Sequence, residues 1–377
     1  MMKEMDPLAA ASAIARLAFE HAPEAERARR LPAAVVDALA EAGLFRLCVP
    51  DAVGGLEAHP ATLVAAAEVV ATGDASAGWC VAVGSTSGLL LGYLAEDSAA
   101  EVFATPTTIL GGVFAPRGRA VPEEDGFRVT GVWPFASGCE HCDWLLGGVV
   151  VEGDPAPSLM LAPRADVEIA DTWHVSGLRA TGSHDIAMND VLVPAGRAAS
   201  LFTDVPVATG PLYAFPVFGL LATAIAGVTL GIARGALDDL SALGAKVPGA
   251  GGRSLAERPT VQADFGRAEG ALRAARAQLF AAIDAAWAAA AAAAGSRLGD
   301  AERLGLRLAA THAATTAAEV TTAAYRLAGG SALYDSSPLQ RRLRDVHAAA
   351  QHMLVAPATW ELAGRLLLGL PTDTRQL

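Results

Sequence analysis

The side chains able to do chemistry fall into a few short stretches of this 377-residue sequence. Cys139-Glu-His-Cys142 is a single CxxC with His141 inside it. A structural zinc site needs a second ligand pair at similar spacing, and a haem-attachment motif needs its His after the second Cys. Neither is present, so these thiols, with Cys48 and Cys80, read as packing cysteines of a reduced protein, with no metal. Ser137 follows Phe135-Ala136 at the end of an alternating apolar run; taken alone it is a turn residue. Arg179, Thr181 and Ser183 make a polar loop whose plain reading is internal hydrogen bonding. Two histidines, His347 and His352, sit in an Ala-rich stretch near the end. Imidazole, with an ordinary pKa of about 6.5, suits proton transfer near neutral pH. A lone His there ordinarily packs or caps, and His347 is read that way. Trp79 is a pocket wall or an ordinary core indole, and His184 a loop residue beside the barrel motifs.

The elements that must hold these residues change character twice. Helical spacing marks Leu31–Ala42 with Gly43 as the stop, then Ala61–Ala71 and Gly78–Leu94, with Asp97 as a cap for the helix that follows. From about Thr107 the pattern becomes strands. Asp125-Gly126 signals a hairpin, followed by Phe127, Val129, Gly131, Trp133 and Phe135 in alternation, then 144–151, 158–162, 167–169 and 186–193. Short strands at this spacing predict a β-barrel or sandwich ending at about Phe202. Helices return from Tyr213: Ala263–Ala294, Ala301–Ala328 and Leu339–Leu370 complete a predicted antiparallel four-helix bundle, with Gly244–Arg258 as a flexible loop. The fold is therefore α+β multidomain: an N-terminal helical domain over 1–106, a central β-barrel or sandwich over 107–204, and a four-helix bundle over 205–377.

Composition excludes several classes. The chain is 53% hydrophobic and 18% charged, which rules out disorder. A net charge of −12 argues against nucleic acid as a partner, and Arg29-Arg30 and Arg341-Arg342 read as solvated helix faces. Leu212–Ala233 carries no charge and could span a bilayer by length alone. Its Pro216 and the series Gly219, Gly227, Gly231 and Gly235 instead suit a buried bundle helix, so no membrane partner is expected. The N-terminus lacks a basic-then-apolar leader layout, which predicts a cytoplasmic protein.

The helix–strand–helix order and three local motifs together resemble the acyl-CoA dehydrogenase superfamily over nearly the whole chain. The motifs are Gly131-Val-Trp-Pro-Phe-Ala-Ser-Gly138; Trp173-His-Val-Ser-Gly-Leu-Arg-Ala-Thr-Gly-Ser183 with Asp190-Val-Leu-Val-Pro194; and Ala328-Gly-Gly330 with Pro338-Leu-Gln-Arg-Arg-Leu-Arg-Asp345. A dehydrogenase of this superfamily needs a desolvated carboxylate to remove a proton from a thioester. Eight residues beyond Asp345, where the common pattern places that Glu, stands Met353, and no carboxylate lies between Asp204 and Asp238, the other place for it.

The motifs are most similar to the two-component reduced-flavin monooxygenases that hydroxylate aromatics. That resemblance implies reduced FMN or FAD from a separate NAD(P)H:flavin reductase, O2 adding to flavin C4a, and a phenol-like small-molecule substrate. It implies Ser137 near flavin N5 and His352 as a catalytic base or aid to oxygen transfer, with His352 and Trp79 lining the substrate pocket. It also implies flavin contacts from Trp133, Phe135, Ala136, Ser137, Arg179, Thr181, Ser183, Gly329 and Gly330. Flavin is expected between barrel and bundle, bound more tightly when reduced, in a homotetramer. An N- or S-oxygenase of the same fold, or an acyl-CoA dehydrogenase-like protein, is the alternative reading.

Overall fold

The computed structural model describes residues 6–201, 203–246, 254–293 and 297–377. Three layers of local chemistry build it. The N-terminal part is helical: α1 (Pro7–Ala28), α2 (Ala33–Glu41), α3 (Pro60–Gly73), α4 (Ala75–Ser87) and α5 (Glu96–Val102). Asp6 caps α1 by accepting from the Leu8 amide, and Asp74 caps α4 by accepting from the Ala77 amide at 2.9 Å. Asp97 is not a cap. It lies in the first turn of α5, whose N-cap is Ala95, where a carboxylate still favours the helix dipole.

The middle part is one seven-stranded mixed sheet, β1 (Leu110–Glu123), β2 (Gly126–Ala136), β3 (Trp144–Val151), β4 (Asp154–Pro163), β5 (Glu168–Ala170), β6 (His184–Pro194) and β7 (Ala198–Ala199). Its order is β5-β6-β2-β1-β3-β4-β7, with β1 and β3 parallel and every other pair antiparallel. The hairpin turn is Glu124-Asp125, one residue earlier than predicted, and Gly126 already pairs with Glu123. Strand β1 escapes a sequence reading because Gly111, Gly112, Pro116 and Gly118 interrupt its pattern and its register with β3 shifts twice.

The C-terminal part holds α6 (Pro211–Ala214), α7 (Val217–Lys246), α8 (Pro259–Ala292), α9 (Asp300–Ala328), α10 (Pro338–Ala349) and α11 (Ala358–Leu367). Helix α7 is one of two helical segments among the described residues long and apolar enough for a bilayer, the other being Ala75–Tyr93, and 78% of α7's most apolar window is buried inside the protein. Its glycines explain why. A Cβ at Gly227 would sit 2.7 Å from the Val64 carbonyl, and one at Gly231 2.1 Å from the Glu68 carbonyl, so α3 packs directly on the α7 backbone. Gly244, Ala245 and Lys246 belong to the last turn of α7 rather than to a loop, while residues 247–253 of the predicted loop lie outside the described residues, as do Phe202 and Ala294.

Two expectations about the last helices fail. Leu339–Leu370 is not one helix: residues 350–357 form turns between α10 and α11, and Pro357 is the N-cap of α11. Arg341 and Arg342 are not solvated; they are 9% and 4% exposed. Arg342 ion-pairs with Asp239 on α7 and donates to the Thr72 carbonyl at 2.7 Å, joining α10 to α7 and α3.

Candidate active site

The candidate cluster forms where α4, the end of β2, the 178–183 turn and the segment after α10 meet. Strand β2 delivers Ser137 through a bulge. Its register with β6 breaks between Trp133 and Ala136, and Phe135 takes a left-handed φ of 68°. A non-glycine in that region is strained, and such strain collects at functional sites. The twist turns Phe135 outward, 66% exposed, edge-on to Trp173 at 6.0 Å between ring centroids. Ser137 points inward.

There Ser137 Oγ meets two partners from different elements. The indole Nε1 of Trp79 on α4 donates to Ser137 Oγ at 3.0 Å. Ser137 Oγ lies 2.7 Å from Ser183 Oγ, and Ser183 Oγ 2.6 Å from Thr181 Oγ1. Thr181 Oγ1 donates to the Leu178 carbonyl at 2.8 Å. Leu178 is itself left-handed, at φ 51°, and its buried amide donates to Asp345 Oδ1 of α10 at 2.7 Å. Burial, with the nearby Asp74 carboxylate, pushes the Asp345 carboxyl up to about 7.

Across Trp79 sits His352, its ring 5.8 Å away and edge-on. It is in the turn after α10, and its Nδ1 accepts the Leu354 amide at 3.3 Å. A neutral imidazole accepting at Nδ1 carries its proton on Nε2. Burial, and then the Arg307 charge, lower its pKa to about 4. The expectation of an imidazole poised near working pH therefore fails: this ring is neutral and weakly basic, and Nε2 is a donor.

Other predicted residues have different places. Trp133 is fully buried, its indole donating to the Gly148 carbonyl at 2.7 Å, and its ring packs where Gly118, Gly131 and Gly147 leave room. It is a sheet-core residue. Ala136 is also fully buried, paired with His184. Arg179 donates to the Glu26 and Val175 carbonyls, tying α1 to the 175–181 loop, so its guanidinium is engaged in structure. Gly329 and Gly330 are exposed at the end of α9 with open space around both, and no described contact joins them to the Ser137 cluster. His184 starts β6 buried, its Nδ1 accepting the Thr172 and Trp173 amides at 3.2 Å each. His347 is exposed, with Nε2 3.0 Å from Thr322 Oγ1.

All four cysteines are free and buried. Cys139 and Cys142 donate to the Gly182 and Gly138 carbonyls, and burial pushes the Cys139 thiol up to about 12. No group of three potential metal ligands occurs among the described residues.

Two clefts are lined by residues next in sequence to the cluster, and neither by Trp79, Ser137, Thr181, Ser183 or His352 themselves. One of about 410 Å³ lies between α9 and the 350–357 turn, lined by Thr315, Glu319, Arg326, His347, Gln351 and Val355. The other, about 550 Å³, is lined by Arg29, Arg30, Glu140, Arg164, Asp171 and His184. Sequence reasoning placed Arg29 and Arg30 in solvent. Arg29 instead grips Asp171 through two hydrogen bonds of 2.6 and 2.8 Å, whereas Arg30 is exposed, as that reading expects, 3.7 Å from Glu140. Asp74 was missed as well, and the only signal for it was its position before an apolar helix.

Comparison with known proteins gives the same fold and adds a chemistry. Residues 8–101 match the acyl-CoA dehydrogenase N-terminal domain family and residues 223–357 the acyl-CoA dehydrogenase C-terminal domain family. The chain is 35% identical over 310 residues to an indole-3-acetate monooxygenase of Pseudomonas putida, covering 81% of this chain and 78% of that protein. It is 33% identical over 268 residues to the oxygenase component of an FADH(2)-dependent resorcinol hydroxylase of Rhizobium sp. (strain MTP-10005), covering 66% of this chain and 65% of the relative. The crystal structure of 3-HSA hydroxylase from Rhodococcus sp. RHA1 superposes with a TM-score of 0.92 at 27% identity, covering all of both chains. The chain belongs to the acyl-CoA dehydrogenase superfamily and, within it, to the flavin-dependent monooxygenases.

Proposed function

We propose that this chain is the oxygenase component of a two-component system that takes reduced FMN or FAD from a separate NAD(P)H:flavin reductase and hydroxylates a phenol-like or other aromatic small molecule with O2. The observation that carries the reading is a neutral imidazole beside Trp79 at a site with no free buried carboxylate. The buried carboxylates among the described residues are Glu68, Asp74 and Asp345. Glu68 pairs with Arg276, Asp74 caps α4 and Asp345 holds the Leu178 amide. Met353, at the dehydrogenase position, is 61% exposed. Proton removal from a thioester has no base here, whereas oxygen transfer to an aromatic ring requires none of that type.

The residues fit a reduced flavin. Phe135 and Trp173 offer aromatic surface to a planar ring, and Ser137 offers a hydroxyl oxygen aligned by Trp79 and Ser183. Bound reduced flavin supplies the electrons that activate O2. The chain's own part is to exclude water with the buried Trp79–Ser137–Ser183 wall and to orient the substrate oxygen through His352 Nε2–H. The exposed Leu333, Tyr334, Trp360, Leu367 and Leu368 of the bundle support assembly into a homotetramer. Four free thiols suit the reducing cytoplasm.

The test supplies purified protein with NADH, a flavin reductase, FMN or FAD, and a panel of phenols and indoles under ¹⁸O2. A hydroxylated product carrying one ¹⁸O supports the reading. Acyl-CoA-dependent reduction of an electron-transfer flavoprotein, with no ¹⁸O in any product, overturns it.

A further inference from the structure

We propose that Thr181 and Ser183 set the polarity of Ser137, so that Ser137 offers the flavin an acceptor and the site selects reduced over oxidised flavin. The inference rests on the reading above that Ser137 faces the flavin, and it assigns the two neighbouring hydroxyls a role that is not direct contact. Both are almost fully enclosed, Thr181 at 2% exposure and Ser183 at 3%.

A hydroxyl has one hydrogen to donate and two lone pairs to accept with. The Leu178 carbonyl can only accept, so at 2.8 Å the hydrogen between it and Thr181 Oγ1 belongs to Thr181. Thr181 then has none left for Ser183, and their 2.6 Å contact is donated by Ser183. Ser183 in turn has none left for Ser137, so the 2.7 Å contact between them is donated by Ser137. At the other end Trp79 Nε1 can only donate, and it donates to Ser137. Every hydrogen in the row Trp79–Ser137–Ser183–Thr181–Leu178 therefore points the same way. Ser137 keeps one lone pair and no hydrogen for anything else.

That residual lone pair distinguishes the two states of a flavin. Reduced flavin carries a hydrogen on N5 and donates it; oxidised flavin has a bare N5 that can only accept. Against an acceptor-only Ser137 the first makes a hydrogen bond and the second meets lone pair against lone pair. The far end of the row is anchored, because Leu178 is held by Asp345 and its carbonyl also takes the Trp173 indole N–H at 3.0 Å. Thr181 and Ser183 act as positioning residues through Ser137.

Breaking the row should release the Ser137 hydrogen. The experiment measures dissociation constants of the full chain for oxidised and for dithionite-reduced FMN and FAD, anaerobically, by equilibrium dialysis. In Ser183→Ala and in the near-isosteric Thr181→Val, oxidised flavin should bind more tightly and the oxidised-to-reduced ratio of Kd should fall about fivefold to tenfold, the worth of one neutral hydrogen bond. Thr181→Ser keeps the hydroxyl and should retain the wild-type ratio, so it serves as the control should Ser183→Ala fold poorly. A wild-type ratio in both Ser183→Ala and Thr181→Val, while Ser137→Ala still weakens reduced flavin, overturns this inference alone. Unchanged binding of both states in Ser137→Ala shows instead that Ser137 does not face the flavin, and the site assignment above falls with it.

Discussion

Ser137 and His352 both contact Trp79 and are held in different ways. Ser137 sits at a strand bulge with its oxygen fixed by an indole and a hydroxyl, in a row anchored on α10. His352 lies in a turn between two short helices, with one amide on Nδ1 at 3.3 Å and one edge-on ring contact. The sheet side is a polar wall tied by several side chains; the bundle side is a ring on a turn whose neighbours Gln351 and Val355 line a cleft. Under the proposed function the fixed side would hold the cofactor and the side at the turn would receive the substrate.

The comparison is tested hardest at His352. His352→Ala should lower product formation by about 10²–10⁴-fold if the ring moves or directs a proton in oxygen transfer. His352→Gln separates the roles: a donor at the Nε2 position is retained, so substantial activity identifies His352 as a donor, and activity as low as that of Ala identifies it as a base. Steady-state product yield on each variant decides. On the fixed side, Ser137→Ala should divert turnover, with H2O2 release rising several-fold at the expense of product, measured by peroxide assay against oxygen consumed; wild-type coupling would contradict the assignment.

Anchoring comes next in size. Asp345→Ala leaves the buried Leu178 amide unpaired and should cost about 1–3 kcal/mol in urea unfolding, whereas Asp345→Asn keeps an acceptor and should cost less. The two sides also carry opposite pH dependences. Asp345, raised to about 7, contributes stability that is present below its unfolded value and lost as pH rises through 7. His352, lowered to about 4, contributes stability that is present above its unfolded value near 6.5 and lost as pH falls toward 4. The Tm of Asp345→Asn should therefore gain on wild type from pH 5 to 8, and that of His352→Gln should gain from pH 6.5 to 4.5. Parallel Tm curves would refute both. The smallest effect belongs to Met353→Glu: on an exposed turn position it should leave stability unchanged and create no acyl-CoA oxidation, since no pocket is shaped around it.

Much of this was legible before the structure. Strand β3 was placed at its observed bounds because 144–151 is a continuous apolar run between turn residues. The buried α7 was legible from glycines spaced for backbone contact. The charged residues were not. Arg29 and Arg342 look like any surface arginine in one dimension, and their partners Asp171 and Asp239 lie more than a hundred positions away.

The sequence by itself determined the order of elements, the missing thioester base and the hydroxyl and imidazole side chains, because periodicity and residue type are local properties. Only the tertiary structure decided what those side chains are. Trp133 became core and Phe135 surface through a single bulge. His352 became a neutral donor because burial opposes its charge and an amide occupies Nδ1. Ser137 became an acceptor because residues 79, 181 and 183, distant in sequence, surround it with hydrogens that can point only one way. Hydrogen-bond direction is a property of the whole row, and no window of sequence contains it.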